Sequence, residues 1–379
     1  MKPKIYFDNA ATTFPKPACV CSSVCRGVSV LGGNPGRGGH SFSRISSEII
    51  FNCREEAASL FGASPENIVF TANCTHAINA AIKGVCSRDD RIVISSMEHN
   101  SVARPCYRLA KEGARVEVAM VGRSDDETIS NFTRLITDDT KCVICTAASN
   151  VTGRIMPLRE IGEICKRKGV CFIVDAAQAA GSVPISLDHG INFICCAGHK
   201  GLYGPTGTGL LISDGKYLPD TVIEGGTGAT SLELDQTPDM PERLESGTLN
   251  TVGICGLLAG IKFIKRIGIS RIYDHERLLC NILLDGLKTV DGAKVYRRGE
   301  SFVPIVSFNI EGFDPTALST ALDGEGFALR GGLQCAPLAH HTIKTLPAGT
   351  IRFSPSCHNT QKEVISLVNT LKKFSKQGI

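Results

Sequence analysis

Short runs of β-branched and other apolar residues recur through the middle of the chain. Between them lie stretches in which apolar positions return every three to four residues, the spacing of one helix face. The runs at 68–70, 92–95, 116–119, 142–146, 171–174, 193–196 and 209–212 predict strands. Leu158–Lys168 reads as an amphipathic helix, and Gly169 supplies its stop. This alternation predicts an α/β fold whose large domain holds a mainly parallel sheet covered by helices on both faces. A longer helical pattern at 252–267 leads into a second region. There the pattern predicts a helix near 272–290, strands near 303–310 and a closing helix near 361–374, a smaller α+β C-terminal domain. The domain change is expected near residue 255. The large domain then covers 15–254, and 255–379 with 1–14 forms the small one. No internal repeat or low-complexity segment interrupts the pattern.

Composition narrows the class. An apolar share of 42% and a charged share of 21% are ordinary for a soluble globular protein. A net charge of +4, with no block of like charge, gives no reason to expect nucleic acid. The first residues lack the apolar run of an export signal, and no apolar stretch reaches the ~20 residues that span a bilayer. A cytoplasmic protein, not membrane-bound, is expected. Seventeen cysteines, an odd number, fit small buried hydrophobes in a reducing compartment better than a disulfide framework. Cys142 and Cys145 are spaced CxxC, but on a strand they point to opposite faces and cannot chelate one ion. Cys19, Cys21 and Cys25 fall on a predicted helix with no partner pair nearby. No metal site is expected.

Ligands of open α/β sheets bind beyond the C-terminal ends of the strands. Two features fall there together. The strand at 171–174 ends in Asp175, followed by Gln178, and the strand at 193–196 leads into Lys200 within a glycine-rich turn. A lysine able to form an imine, with a carboxylate at the adjacent strand end, is what a pyridoxal cofactor needs. Read alone, Asp175 also suits a turn or helix cap, and Lys200 a solvated surface charge. The loop has neither the GxxxxGK[ST] of a phosphate loop nor a GxGxxG opening a helix.

At these residues the chain resembles the class V aminotransferase family, and within it the cysteine desulfurases. The motifs are YFDNAATT at 6–13, EHNS at 98–101, SNVTG at 149–153, DAAQ at 175–178, GHKGLYGP at 198–205, ESGT at 245–248, RGGLQCAP at 330–337 and IRFS at 351–354. The resemblance implies a fold type I enzyme that uses pyridoxal 5'-phosphate. It implies that Lys200 holds the cofactor as an imine and moves the Cα proton. Asp175 would pair with the pyridine nitrogen, Gln178 with the phenolic oxygen, and His99 would stack on the ring, with Asn150 close by. Thr75, opening a helical run, and His199 would serve the phosphate. Thr248 would reach the phosphate of a neighbouring subunit, so a homodimer is implied. Arg352 would take the substrate carboxylate, with Arg330 and Asn150 beside it.

Cys335 stands where a desulfurase keeps its nucleophile, and a basic neighbour such as Arg330 favours a thiolate. The implied reaction converts L-cysteine to L-alanine and leaves the sulfur as a persulfide on Cys335, ready for a protein acceptor, as in iron–sulfur cluster assembly. The short segment from Cys335 to Arg352 fits members with a shorter, less mobile loop. Four positions depart from the family: Ala197 and Cys74 where a hydroxyl is common, His76 where Glu is frequent, and Gly36 where a His is frequent. A selenocysteine lyase is the nearest rival. An aminotransferase, another C–S lyase and an idle persulfide carrier remain open; a nicotinamide dehydrogenase lacks its glycine fingerprint.

Overall fold

The computed structural model describes residues 4–36, 38–228, 232–297 and 299–377. In chain order the first part comprises β1 (Ile5–Tyr6), α1 (Ala18–Val30), α2 (Ser41–Phe61), β2 (Ile68–Thr71), α3 (Cys74–Val85), β3 (Arg91–Ser95) and α4 (Asn100–Glu112). It continues with β4 (Arg115–Ala119), α5 (Asp125–Leu135), β5 (Thr140–Thr146), α6 (Leu158–Lys168), β6 (Cys171–Asp175), β7 (Phe193–Ala197) and β8 (Gly209–Ser213). All seven predicted strands are present. They form one sheet in the order β2-β8-β7-β6-β5-β3-β4. The pairs from β7 through β4 are parallel, while β8 runs antiparallel to both its neighbours.

The two faces of this sheet carry separate cores. Val143, Cys145, Phe172, Val174, Ile194 and Cys196 pack into one, and Cys142, Ile144, Cys171, Ile173, Phe193 and Cys195 into the other. Successive side chains alternate between faces, so strands buried on both sides read as unbroken apolar runs. Cys142 and Cys145 accordingly lie on opposite faces, and no metal-holding group of three or more His, Cys, Asp or Glu occurs among the described residues. Truncating a fully buried side chain such as Phe172 would cost about 3–5 kcal/mol. Helix α6 stops as predicted: Gly169, at φ +66°, turns its N–H back to the carbonyls of Cys165 and Lys166.

The second part holds α7 (Thr251–Ile267), α8 (Ile269–Leu287), β9 (Ala293–Val295), β10 (Val306–Ile310), α9 (Pro315–Gly324), β11 (Phe327–Ala328), α10 (Pro337–Thr342), β12 (Ile351–Phe353) and α11 (Gln361–Gln377). Strand β10 starts later than the pattern suggests, because Pro304 offers no N–H to a ladder. An antiparallel sheet β12-β10-β9 packs with α8, α9 and α11 into a third core, which Phe7 joins from the N-terminal segment. Strand β1 pairs with β11 in parallel. The buried face of α7, including Ile254, Leu257 and Ile261, belongs instead to the first core. No helix among the described residues is long and apolar enough to cross a membrane.

Candidate active site

The parallel strands end on one side of the sheet, and the order of strands reverses between β3 and β5. A crevice is expected at such a reversal. A cleft opens there, lined by Thr75, His99, Asn150, Asp175, Gln178, His199 and Lys200, with Cys74 and Ala197 on its floor. Seven residues that the sequence singled out thus meet in one place.

Asp175 is the last residue of β6 and only 4% exposed. Its Oδ1 accepts the N–H of Ala177 at 2.9 Å and the S–H of Cys74 at 3.5 Å. Lys200 follows β7 by three residues, and its turn is clamped to the one after Gln178. A Cβ on Gly181, at φ +82°, would lie 2.1 Å from the Gly201 carbonyl oxygen, and one on Gly201 2.4 Å from that of Ala180. Only glycines allow this approach. Burial lowers the proton affinity of Lys200; Asp175 opposes the shift, and the Arg352 and Arg330 charges add to it.

His99 caps α4, its Nδ1 accepting the N–H of Ser101 at 3.0 Å. With Nδ1 an acceptor, the neutral ring carries its proton on Nε2. Burial lowers the His99 pKa, the Asp175 charge opposing. Ser101 Oγ also meets Thr75 Oγ1 at 3.0 Å, joining the starts of α3 and α4. At the α3 terminus the Asn73 side chain takes the His76 N–H at 2.9 Å, and the cleft receives the first turn beside Cys74 and Thr75. Such a terminus favours an anion. His199 is pushed down to about 4 by burial, with Lys200 and Lys16 adding, and its buried Nδ1 has no partner among the described residues. Gln178 Nε2 donates to the Ala10 carbonyl at 3.0 Å, tying the N-terminal motif to the site.

Cys335 opens onto a groove that shares Thr75, His99 and Ser101 with the cleft. It is exposed, and Arg330 Nη2 donates to its Sγ at 3.5 Å. Gln334 and Cys335 both have positive φ, +43° and +58°. Two left-handed non-glycine residues in succession cost of order 1–3 kcal/mol each, so the surroundings must hold them. They do. Asn150 Nδ2 donates to the Gln334 carbonyl at 2.7 Å and Asn100 N–H to the Cys335 carbonyl at 2.8 Å. The buried Gln334 side chain donates to the Thr350 carbonyl at 2.7 Å and meets His340 Nε2 at 2.8 Å.

Arg352, 1% exposed, pairs with Asp8 at 2.7 Å and donates to the Asn150 carbonyl at 3.0 Å. Its position therefore depends on the N-terminal segment. Thr248 lies outside the cleft: it is exposed and accepts a bond from Asn34 Nδ2 at 3.4 Å. Of the four departures, Cys74 faces Asp175 rather than the open end of α3, and Ala197 adds no polar contact to the floor. His76 Nδ1 accepts the Ala72 N–H at 3.3 Å. Gly36, at φ +71°, lines a different cavity beside Arg54 and Ser47. Asp8, Cys74, Gln334 and His340 are members of the site that spacing alone did not single out as supports; only the motif strings containing Asp8 and Gln334, and the family departure at Cys74, pointed near them.

The chain matches the family model for aminotransferase class-V over residues 5–367. It is 32% identical to a probable cysteine desulfurase of Methanothermobacter thermautotrophicus, covering 100% of this chain and 96% of that protein. It is 34% identical to a probable cysteine desulfurase of Halalkalibacterium halodurans, covering 98% and 93%. An apo cysteine desulfurase from Thermococcus onnurineus superposes with a TM-score of 0.91 at 30% identity, over 98% of this chain and 95% of that one. A cysteine desulfurase of Escherichia coli, in an S-sulfonic acid form, gives 0.89 at 27% identity, over 98% and 94%. With nearly its whole length matched, and with the strand-end lysine and aspartate in one cleft, the chain belongs to the aminotransferase class-V family.

Proposed function

We propose that this protein is a pyridoxal-phosphate-dependent cysteine desulfurase that converts L-cysteine to L-alanine and takes the sulfur onto Cys335 as a persulfide. The observation that carries this reading is the meeting of two openings at Thr75, His99 and Ser101: one holds Asp175 and Lys200, the other exposes Cys335 beside Arg330. The residues fit the cofactor. A buried carboxylate suits the ring nitrogen, the α3 terminus and the unpartnered His199 Nδ1 suit the phosphate, and Lys200 has a lowered proton affinity.

When bound, pyridoxal phosphate supplies an electron sink for the charge left on the substrate Cα. Lys200 would hold the cofactor and move the Cα proton, a role that its lowered proton affinity assists. Asp175 would hold the ring nitrogen, Gln178 the phenolic oxygen, and His99 would pack against the ring. Thr75 and His199 would hold the phosphate, and Thr248 would reach that of the partner in a homodimer. Arg352, with Arg330 and Asn150, receives the substrate carboxylate. Cys335 Sγ would form a bond to the substrate sulfur as the Cβ–S bond breaks; Cβ takes up the proton that the Cys335 thiol gave up, Lys200 returns the proton to Cα, and alanine leaves. A protein acceptor then takes the persulfide sulfur.

Exposed Phe42, Ile45 and Phe51 on α2, with Val28 and Val30 on α1, support the homodimer, since an isolated chain gains nothing by exposing them. The division into 15–254 and 255–379 with 1–14 belongs to the same proposal; Phe7 in the third core supports its N-terminal part, whereas α7, buried in the first core, does not support a boundary at 255. A cytoplasmic location accords with seventeen thiols, all free. Borohydride reduction of the loaded protein tests the assignment: a fixed adduct on the peptide bearing Lys200 is expected, and an adduct on another lysine refutes it.

A further inference from the structure

Cys74 lies where Asp175 meets the floor of the cleft. It is 7% exposed, and its Sγ is 3.5 Å from Asp175 Oδ1 and 3.4 Å from the Cys195 carbonyl oxygen. Burial, with the Asp175 charge adding, keeps this thiol protonated far above its ordinary range, so it acts as a donor and not as a competing nucleophile. One hydrogen faces two acceptors, and the charged one makes the stronger bond. Ala177 N–H also occupies Oδ1 at 2.9 Å, whereas Oδ2 receives no hydrogen bond from the described residues.

We propose that Cys74 acts through Asp175: its S–H shares Oδ1 with the Ala177 N–H, leaves Oδ2 to the ring nitrogen of the cofactor and moderates the hold of the carboxylate there. The proposal rests on the functional reading above. It also has an electrostatic consequence. Donation to Oδ1 draws charge from the carboxylate and weakens its hold on a ring N–H, so removing the thiol strengthens that hold while Ala177 keeps the carboxylate in place.

The test compares full-length wild type, Cys74→Ala and Cys74→Ser, each stripped and then titrated by equilibrium dialysis. The ligands are pyridoxal phosphate and its analogue with carbon in place of the ring nitrogen. The quantity read is the ratio of the two dissociation constants. Loss of packing affects both ligands alike and cancels in the ratio. The preference for the nitrogen-containing ring should rise about threefold in Cys74→Ala, the scale of one weak hydrogen bond. In Cys74→Ser, where a hydroxyl restores a donor, it should return to the wild-type value or below. A ratio that is equal in all three proteins, or lower in Cys74→Ala, overturns the proposal. A wild type with no preference between the ligands instead overturns the role given to Asp175.

Discussion

His340 Nε2 and Gln334 Oε1 meet at 2.8 Å inside the protein, and this pair supports the left-handed backbone that presents Cys335 to solvent. Thr345 Oγ1 meets the other ring nitrogen at 2.7 Å, so a neutral imidazole satisfies both contacts with one N–H. Burial pushes His340 down to about 4, well below its ordinary 6.5. The unfolded chain therefore binds the extra proton first as pH falls. The contribution of His340 to stability is complete above about 6.5 and is lost progressively toward 4.

Gln334→Ala should accordingly lower the yield of Cys335 persulfide while leaving pyridoxal phosphate affinity within about twofold, because the Gln334 side chain braces the turn before Cys335 against the Thr350 carbonyl and His340 and does not line the cleft. Persulfide labelling and cofactor titration of the same sample check this. A matched fall in both would place Gln334 in the general fold instead.

Glu98 makes the opposite pH prediction. It is wholly buried next to β5, with Oε1 accepting the Thr146 N–H at 2.7 Å and Oε2 without a partner among the described residues. Burial raises its pKa to about 8, the Asp175 charge adding and the Ser95 and Thr146 bonds opposing. The native state keeps this proton where the unfolded chain has lost it, so stability falls as pH rises from about 4.5 to 8. Glu98→Gln, a neutral isostere, should make the fall of Tm across that window shallower. An unchanged slope in thermal melts at a series of pH values would show that Glu98 is ionised in the native protein.

The homodimer prediction turns on Thr248. Lys200→Ala and Thr248→Ala should each be inactive alone. If Thr248 serves the neighbouring site, mixed dimers carry one site with both lesions and one with neither, and recover up to about half of the wild-type activity. Activity assays after co-refolding test it; no recovery, or a monomer in sedimentation, contradicts it.

Much of this was legible in the sequence for a physical reason. Strands buried on both faces, such as β6 and β7, must be apolar throughout, so their limits and the residues just beyond them stand out. Asp175 and Lys200 were therefore visible as strand-end residues before any resemblance was invoked. His99, Arg352 and Thr248 were visible only through the resemblance, because a loop histidine or a strand arginine has no local signature. Asp8 and Arg352 are 344 residues apart, and Cys74 and Asp175 are 101 apart. Contacts at such separations leave no periodic trace. The same holds for His340, whose role arises only when α10 packs against the turn carrying Gln334.

The central claim is that sulfur leaves the substrate for Cys335. Wild type incubated with L-cysteine and digested without reductant should show one extra sulfur on the peptide bearing Cys335, with one alanine formed for each sulfur captured. Cys335→Ala should bind pyridoxal phosphate and change its absorption on adding cysteine, yet lose alanine formation by orders of magnitude. Selenocysteine, with its weaker carbon–selenium bond, should be broken down better than cysteine by this variant. Alanine formation from cysteine at the wild-type rate in Cys335→Ala would contradict the account.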